Sequence, residues 1–123
     1  MRKRISVLLA ACLTAAASVS AVAQEAAKEA PKEPTGQEIA FDRGKGNCLA
    51  CHAMPGVPKV ESPGTIGPPL IAMKARFPDR AKLRAQIWDA TAVNPRSSMP
   101  PFGKHKILTE QEVDKVTDFI HGL

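Results

Sequence analysis

Five consecutive residues, Cys48-Leu49-Ala50-Cys51-His52, constrain this chain more than any other feature. Cys-x-x-Cys-His is the attachment pattern of a c-type haem. Two intervening residues put both sulfurs on one side of a helical turn, near the separation of the two haem vinyl groups. The adjacent imidazole can then reach the iron from one face of the ring. A structural zinc site wants a full tetrahedral ligand set, usually from paired motifs, and no second Cys pair exists here. A thioredoxin-type dithiol needs a preceding strand among alternating strands and helices, and neither pattern is present. The spacing predicts one covalent haem c, with Cys48 and Cys51 as thioether donors and His52 as an axial ligand of the iron.

The N-terminus reads as an export signal. Met1-Arg2-Lys3-Arg4 is a basic head, Ile5 to Ala17 is an uncharged apolar run, and Ala21-Val22-Ala23 is an A-x-A site. A cleaved secretory signal is expected over 1–23, with a bacterial periplasmic product. The run is short for a membrane span. Leu9-Ala10-Ala11-Cys12 is a competing lipoprotein box, but it lies very early and a better cleavage site follows. Removing Arg2, Lys3 and Arg4 lowers the formal charge from +5 to +2. The basic pI is therefore partly an export feature and a poor argument for nucleic acid. No basic stretch is interleaved with aromatics, and Tyr is absent. After cleavage only Cys48 and Cys51 would remain, with no spare thiol for a disulfide or for catalysis.

Residues 24–34 carry charge, Ala and Pro but no large apolar group, and a mobile tail is expected there. The globular part is expected over 35–123. A domain this small buries only roughly 60% of its unfolded surface, so a buried haem would be a major core element. Thr35 and Glu38 form a capping box, which starts a first helix near Gly36 and leads it toward the Cys-x-x-Cys-His turn. A second helix fits Arg80 to Ala90, with Asp79 as its N-cap. Thr109 and Glu112 form another capping box, and Leu108 and Val113 a hydrophobic staple. Val113, Val116, Ile120 and Leu123 then recur on one helical face. A short helix is expected around Leu70 to Ala75. Pro- and Gly-rich loops join these pieces, and no strand pattern is convincing. The pattern is all-α.

The sixth iron ligand has five candidates: Met54, Met73, Met99, His105 and His121. Met54 is too close to His52 to swing to the opposite haem face. Met73 falls early in a helix, where packing is the ordinary role, and His121 falls near the end of the last helix, as a solvated cap. Met99 lies in Ser97-Ser98-Met99-Pro100-Pro101-Phe102-Gly103, a loop stiffened by prolines that can cross the distal face. Met99 is assigned, with His105 as the alternative. Thioether sulfur favours Fe(II), so His/Met ligation raises the potential relative to bis-His. With both axial positions filled, electron transfer is expected over oxygen chemistry. Gly67-Pro68-Pro69-Leu70 is expected to support the other face. Its prolines lack N–H donors, so the Pro68 carbonyl can receive the His52 Nδ1–H. Leu70 can pack on the ring.

The order of these parts resembles a class I cytochrome c: Phe41 and Gly44, Cys48-x-x-Cys51-His52, Gly67-Pro68-Pro69-Leu70, Met99-Pro100-Pro101-Phe102 and a terminal amphipathic helix. The resemblance implies helices and loops wrapped around one haem. It also implies close crossing of the first and last helices, with Gly44 opposite the Phe119/Ile120 region.

The strings Arg76-Phe77-Pro78-Asp79-Arg80-Ala81-Lys82-Leu83-Arg84-Ala85-Gln86-Ile87-Trp88-Asp89-Ala90-Thr91 and Met99-Pro100-Pro101-Phe102-Gly103-Lys104-His105-Lys106-Ile107-Leu108-Thr109 are more specific. They resemble the SoxX subunit of the sulfur-oxidising SoxAX cytochrome complex. This implies a SoxA-like partner in a heterodimer, and transient contact with a SoxYZ-like carrier and an acceptor cytochrome. In that family thiosulfate is oxidatively joined to a carrier cysteine at a haem in SoxA, and SoxX relays the electrons. This chain offers no catalytic site alone, but the resemblance implies a subunit of a complex like L-cysteine S-thiosulfotransferase. A free cytochrome c shuttle to an oxidase is the alternative. Lys74, Arg76, Arg80, Lys82, Arg84, Arg96, Lys104 and Lys106 are candidates for a partner surface or a solvated face. Trp88 is expected in the core, with an interface as the alternative.

Overall fold

The computed structural model describes residues 32–123. The expected signal, the Cys12 alternative and the tail before Lys32 lie outside the described residues. Four α-helices follow in order: α1 (Gly36–Phe41), α2 (Met73–Arg76), α3 (Arg80–Trp88) and α4 (Glu110–His121). Short 3₁₀ turns cover Cys48–Ala50 and Ala90–Ala92. No strand occurs among the described residues, and none of their helices is long and apolar enough to cross a membrane.

Both capping boxes form. Thr35 Oγ1 accepts from the Glu38 amide while the Glu38 carboxylate accepts from the Thr35 amide. Thr109 and Glu112 repeat this at the start of α4. Each box satisfies two amides that a helix start leaves without partners. The staple residues Leu108 and Val113 are both buried. Along α4, Val113, Val116 and Ile120 face the core, and the buried Thr117 hydroxyl donates to the Val113 carbonyl at 2.7 Å.

α1 and α3 both pack on α4. Ile39 and Ala40 of α1 join the α4 face in the core, and Phe41 meets Phe119 edge-on at 6.1 Å between centroids. The glycine at this crossing is Gly36, not Gly44. A Cβ on Gly36 would run into the Lys115 carbonyl and come within 2.9 Å of Phe119 Cβ. Gly44 lies beyond the end of α1, in a turn where its amide donates to Asp42 Oδ1 at 2.7 Å. Asp42 breaks α1 by leaving helical geometry, with ψ at 118°.

On the outside, Arg80 pairs with Asp118 and Asp114, and Arg84 with Asp114. These pairs are open to water and each contributes at most about 1 kcal/mol. α3 ends two residues earlier than the sequence pattern suggests. Asp89 leaves the helix with φ −152° and ψ 89°, and its carboxylate caps the next turn instead. α2 begins later than expected, after Ala72 takes the left-handed conformation with φ 52°, which no helix interior can contain.

Candidate haem site

The Cys-x-x-Cys-His turn is locked by a neighbouring loop. The amides of Gly64, Gly67 and Leu70 donate to the carbonyls of Leu49, Cys51 and Ala53, each at 2.8 Å. Pro68 and Pro69 have no amide to give, so the donors fall on the residues flanking them. A Cβ on Gly64 would collide with the Ala50 carbonyl, so only glycine allows this approach.

His52 is held from two directions. Its Nδ1 lies 2.7 Å from the Pro68 carbonyl oxygen. A carbonyl only accepts, so Nδ1 carries the proton and Nε2 is left with a lone pair. That is the tautomer a metal-ligating imidazole needs. The ring also lies against Gly67, where a Cβ would come within 2.8 Å of three ring atoms. The sequence pattern pointed to Pro68. The contact between Gly67 and the ring depends on backbone proximity and was not legible.

One cavity of about 630 Å³ gathers the chemistry-bearing residues. Cys48, Cys51 and His52 line it, as do Met99, Pro68 and Leu70. Its walls are otherwise largely apolar, from Phe77, Leu83, Ile87, Phe102, Leu108, Val116 and Ile120. This is within the usual size range of cofactor pockets, roughly 300–1,000 Å³. Arg43, Lys45, Arg76 and Arg96 add cationic groups that suit the acidic substituents of a haem. Both cysteines are free, and burial pushes the Cys48 thiol up to about 11. Among the described residues no group of three His, Cys, Asp or Glu is arranged to hold a bare metal ion. The donor set and the apolar walls fit a haem c.

The ligand candidates separate by position. Met54 is buried in the core and does not line the cavity. His105 is exposed and away from it. His121 Nε2 lies 2.9 Å from the Phe77 carbonyl oxygen, which makes it a bonded rather than a solvated end of α4. Met73 lines the cavity, but its sulfur accepts from Arg76 Nη1 at 3.3 Å, and the same nitrogen donates to the Pro69 carbonyl at 2.6 Å. Met99 lines the cavity from the opposite part of the sequence, half-buried in its loop.

A sequence model of cytochrome c oxidase, cbb3-type, subunit III matches residues 34–120. The chain belongs to this family. It is a cytochrome c domain with an all-α class I fold. Residues of the chain also superpose on the crystal structure of SoxXA from P. pantotrophus with a TM-score of 0.63 and 29% identity. That likeness covers 73% of this chain and 82% of the other, and the domain is SoxX-like. An uncharacterized lipoprotein of Aquifex aeolicus (strain VF5) is 34% identical over 77 residues, 63% of this chain. The chain spans about a third of that relative's length, 36%.

Several contributors escaped the sequence reading. Trp88 is half-buried instead of core, sandwiched between Gly103 and the Arg84 guanidinium, which sits 5.4 Å from its ring centroid. Of the basic residues considered for a partner surface, Arg80, Arg84 and Lys104 are paired with acids of this same chain. Glu33 and Pro34, at the end of the expected tail, both accept from Lys115 Nζ.

Proposed function

We propose that the chain is a periplasmic monohaem electron relay, the cytochrome subunit of a SoxAX-like complex. The observation that carries this reading is the meeting of Cys48, Cys51, His52 and Met99 on one apolar cavity. Bound there, a haem c supplies a one-electron iron couple. Cys48 and Cys51 would hold it through thioethers, and His52 Nε2 and the Met99 sulfur would ligate its iron. A neutral, soft thioether from Met99 favours the reduced iron and raises the potential. Leu70 and the α4 face, which line the cavity, would shield the group from water.

The likeness to a SoxXA structure supports a SoxA-like partner. In this reading the electrons come from thiosulfate as it is oxidatively joined to a carrier-protein cysteine. Cys48 and Cys51 are both consumed by attachment, so sulfur transfer requires a thiol outside this chain's mature form. Electrons then pass to another cytochrome. The description of the Aquifex relative as a lipoprotein supports an extracytoplasmic location, with residues 1–23 as signal, 24–34 as tail and 35–123 as the cytochrome domain.

The family description names an oxidase subunit, which keeps open a second reading in which the electrons go to an oxidase through a free cytochrome c shuttle. Affinity capture of the tagged protein from periplasmic extract of thiosulfate-grown cells, followed by haem staining, separates the two. A stable heterodimer with a second haem-bearing chain is expected. Recovery as a monomer that reduces an oxidase directly would favour the shuttle.

A further inference from the structure

Asp89 is the only carboxylate buried among the described residues. Nothing in haem attachment uses it, and it does not line the cavity. Its bonds all go to the two ends of one loop. At the near end, Oδ1 accepts from the Thr91 amide at 3.0 Å and from the Thr91 hydroxyl. This fixes the Ala90–Ala92 turn, from which the Asn94 amide hangs on the Ala90 carbonyl at 3.1 Å. At the far end, Lys104 Nζ donates to Asp89 Oδ2 at 2.7 Å. Beside that ion pair, the amides of Gly103 and Lys104 both donate to the Trp88 carbonyl at 3.2 Å. Gly103 is seated so tightly that a Cβ would come within 2.7 Å of three indole atoms of Trp88.

The loop closed in this way carries Met99 at its middle. Within it the local bonds are few. The Met99 amide donates to Ser97 Oγ at 3.2 Å and the Ser97 amide to the Asn94 carbonyl at 2.9 Å. Pro100 and Pro101 donate nothing. Phe102 seats the far part of the loop in the core, and the closure of the base sets how the stretch that carries Met99 lies. We propose that Asp89 is a positioning residue: with Lys104 it forms a clasp that closes the base of the loop and holds the Met99 thioether at the iron. This rests on the reading of Met99 as an axial ligand.

The test uses the haem-loaded full chain and imidazole, a ligand that enters only when the Met99 loop yields its place. Asp89→Asn and Lys104→Gln should each bind imidazole about tenfold more tightly than wild type, the scale of one lost charge-assisted hydrogen bond. Lys104→Arg keeps the charge and should stay within about twofold. Asp114→Asn breaks an ion pair of comparable length on the outer face and should leave imidazole binding unchanged. Lys104 is exposed, so its variants fold even if Asp89→Asn does not. Imidazole affinity within about twofold of wild type in Lys104→Gln overturns the clasp. A Met99→Ala protein that keeps its sulfur-to-iron charge-transfer band overturns the ligand reading instead, and the two failures are thereby distinct.

Discussion

The two segments that reach the cavity are held by different physics. Residues 48–70 are locked by backbone: three amides of one loop reach three carbonyls of the Cys-x-x-Cys-His turn, and glycines permit the approach. Residues 89–104 rely on side chains as well: one buried carboxylate, a lysine and an indole join the amides of Gly103 and Lys104, which donate to the Trp88 carbonyl. Backbone ladders have short reach and little freedom, so the His52 side is a rigid floor. The Asp89 clasp puts its side-chain bonds on a single hub, so the Met99 side is expected to open more readily than the His52 side. In the proposed relay, a fixed His52 would set the frame while the Met99 loop would tune the potential.

The largest expected effect comes from removing what both segments grip. Cys48→Ala with Cys51→Ala blocks attachment and leaves a cavity of about 630 Å³ at the centre of a small core. Circular dichroism under urea should show a protein without a cooperative transition; a sharp, wild-type-like transition would mean that the walls hold themselves together. Gly67→Ala attacks the floor alone. The new methyl cannot fit beside the imidazole, and overpacking of this kind costs about 1–3 kcal/mol. Melting of the loaded protein should fall accordingly, and the reduction potential should shift as the Nδ1 bond to Pro68 is disturbed. An unchanged potential would mean that the ring accommodates the methyl without losing that bond.

The smallest effect belongs to the clasp and appears in acid. Hydrogen bonding from Lys104, then from Thr91, holds the Asp89 carboxyl down at about 2, below its ordinary 3.8. A carboxyl depressed in the folded state binds fewer protons there than in the unfolded chain. Its stabilisation is therefore complete above roughly pH 4 and is lost as pH falls toward 2. Thermal melts of wild type should lose stability through that window more steeply than those of Asp89→Asn. Parallel slopes would show that the carboxylate is not what closes the loop in solution.

Much of the frame was legible in the sequence because it rests on local rules. Capping boxes at Thr35 and Thr109, the Asp79 cap and the α4 apolar face each follow from residues within one or two turns. The Cys48, Cys51 and His52 spacing is likewise local. The partnership of His52 with Pro68 was also readable, because consecutive prolines leave carbonyls with few local partners. What was not legible depends on close approach between distant segments. Gly36, not Gly44, lies at the helix crossing, and the distinction appears only once α1 is seen to stop at Phe41. Gly67 against the imidazole and Gly103 against Trp88 are of the same kind. Asp89 looked like one more helix residue. Its burial and its reach to Lys104 follow from the loop folding back on α3, which no short-range pattern encodes.

Met99 and Met73 both line the cavity, so the choice of axial sulfur carries the account. The most direct measurement is the ferric absorption spectrum of Met99→Ala beside Met73→Leu. The long-wavelength sulfur-to-iron band should vanish in Met99→Ala and persist in Met73→Leu. A band that survives in Met99→Ala would contradict the assignment and, with it, the division between a rigid His52 floor and a clasped Met99 loop.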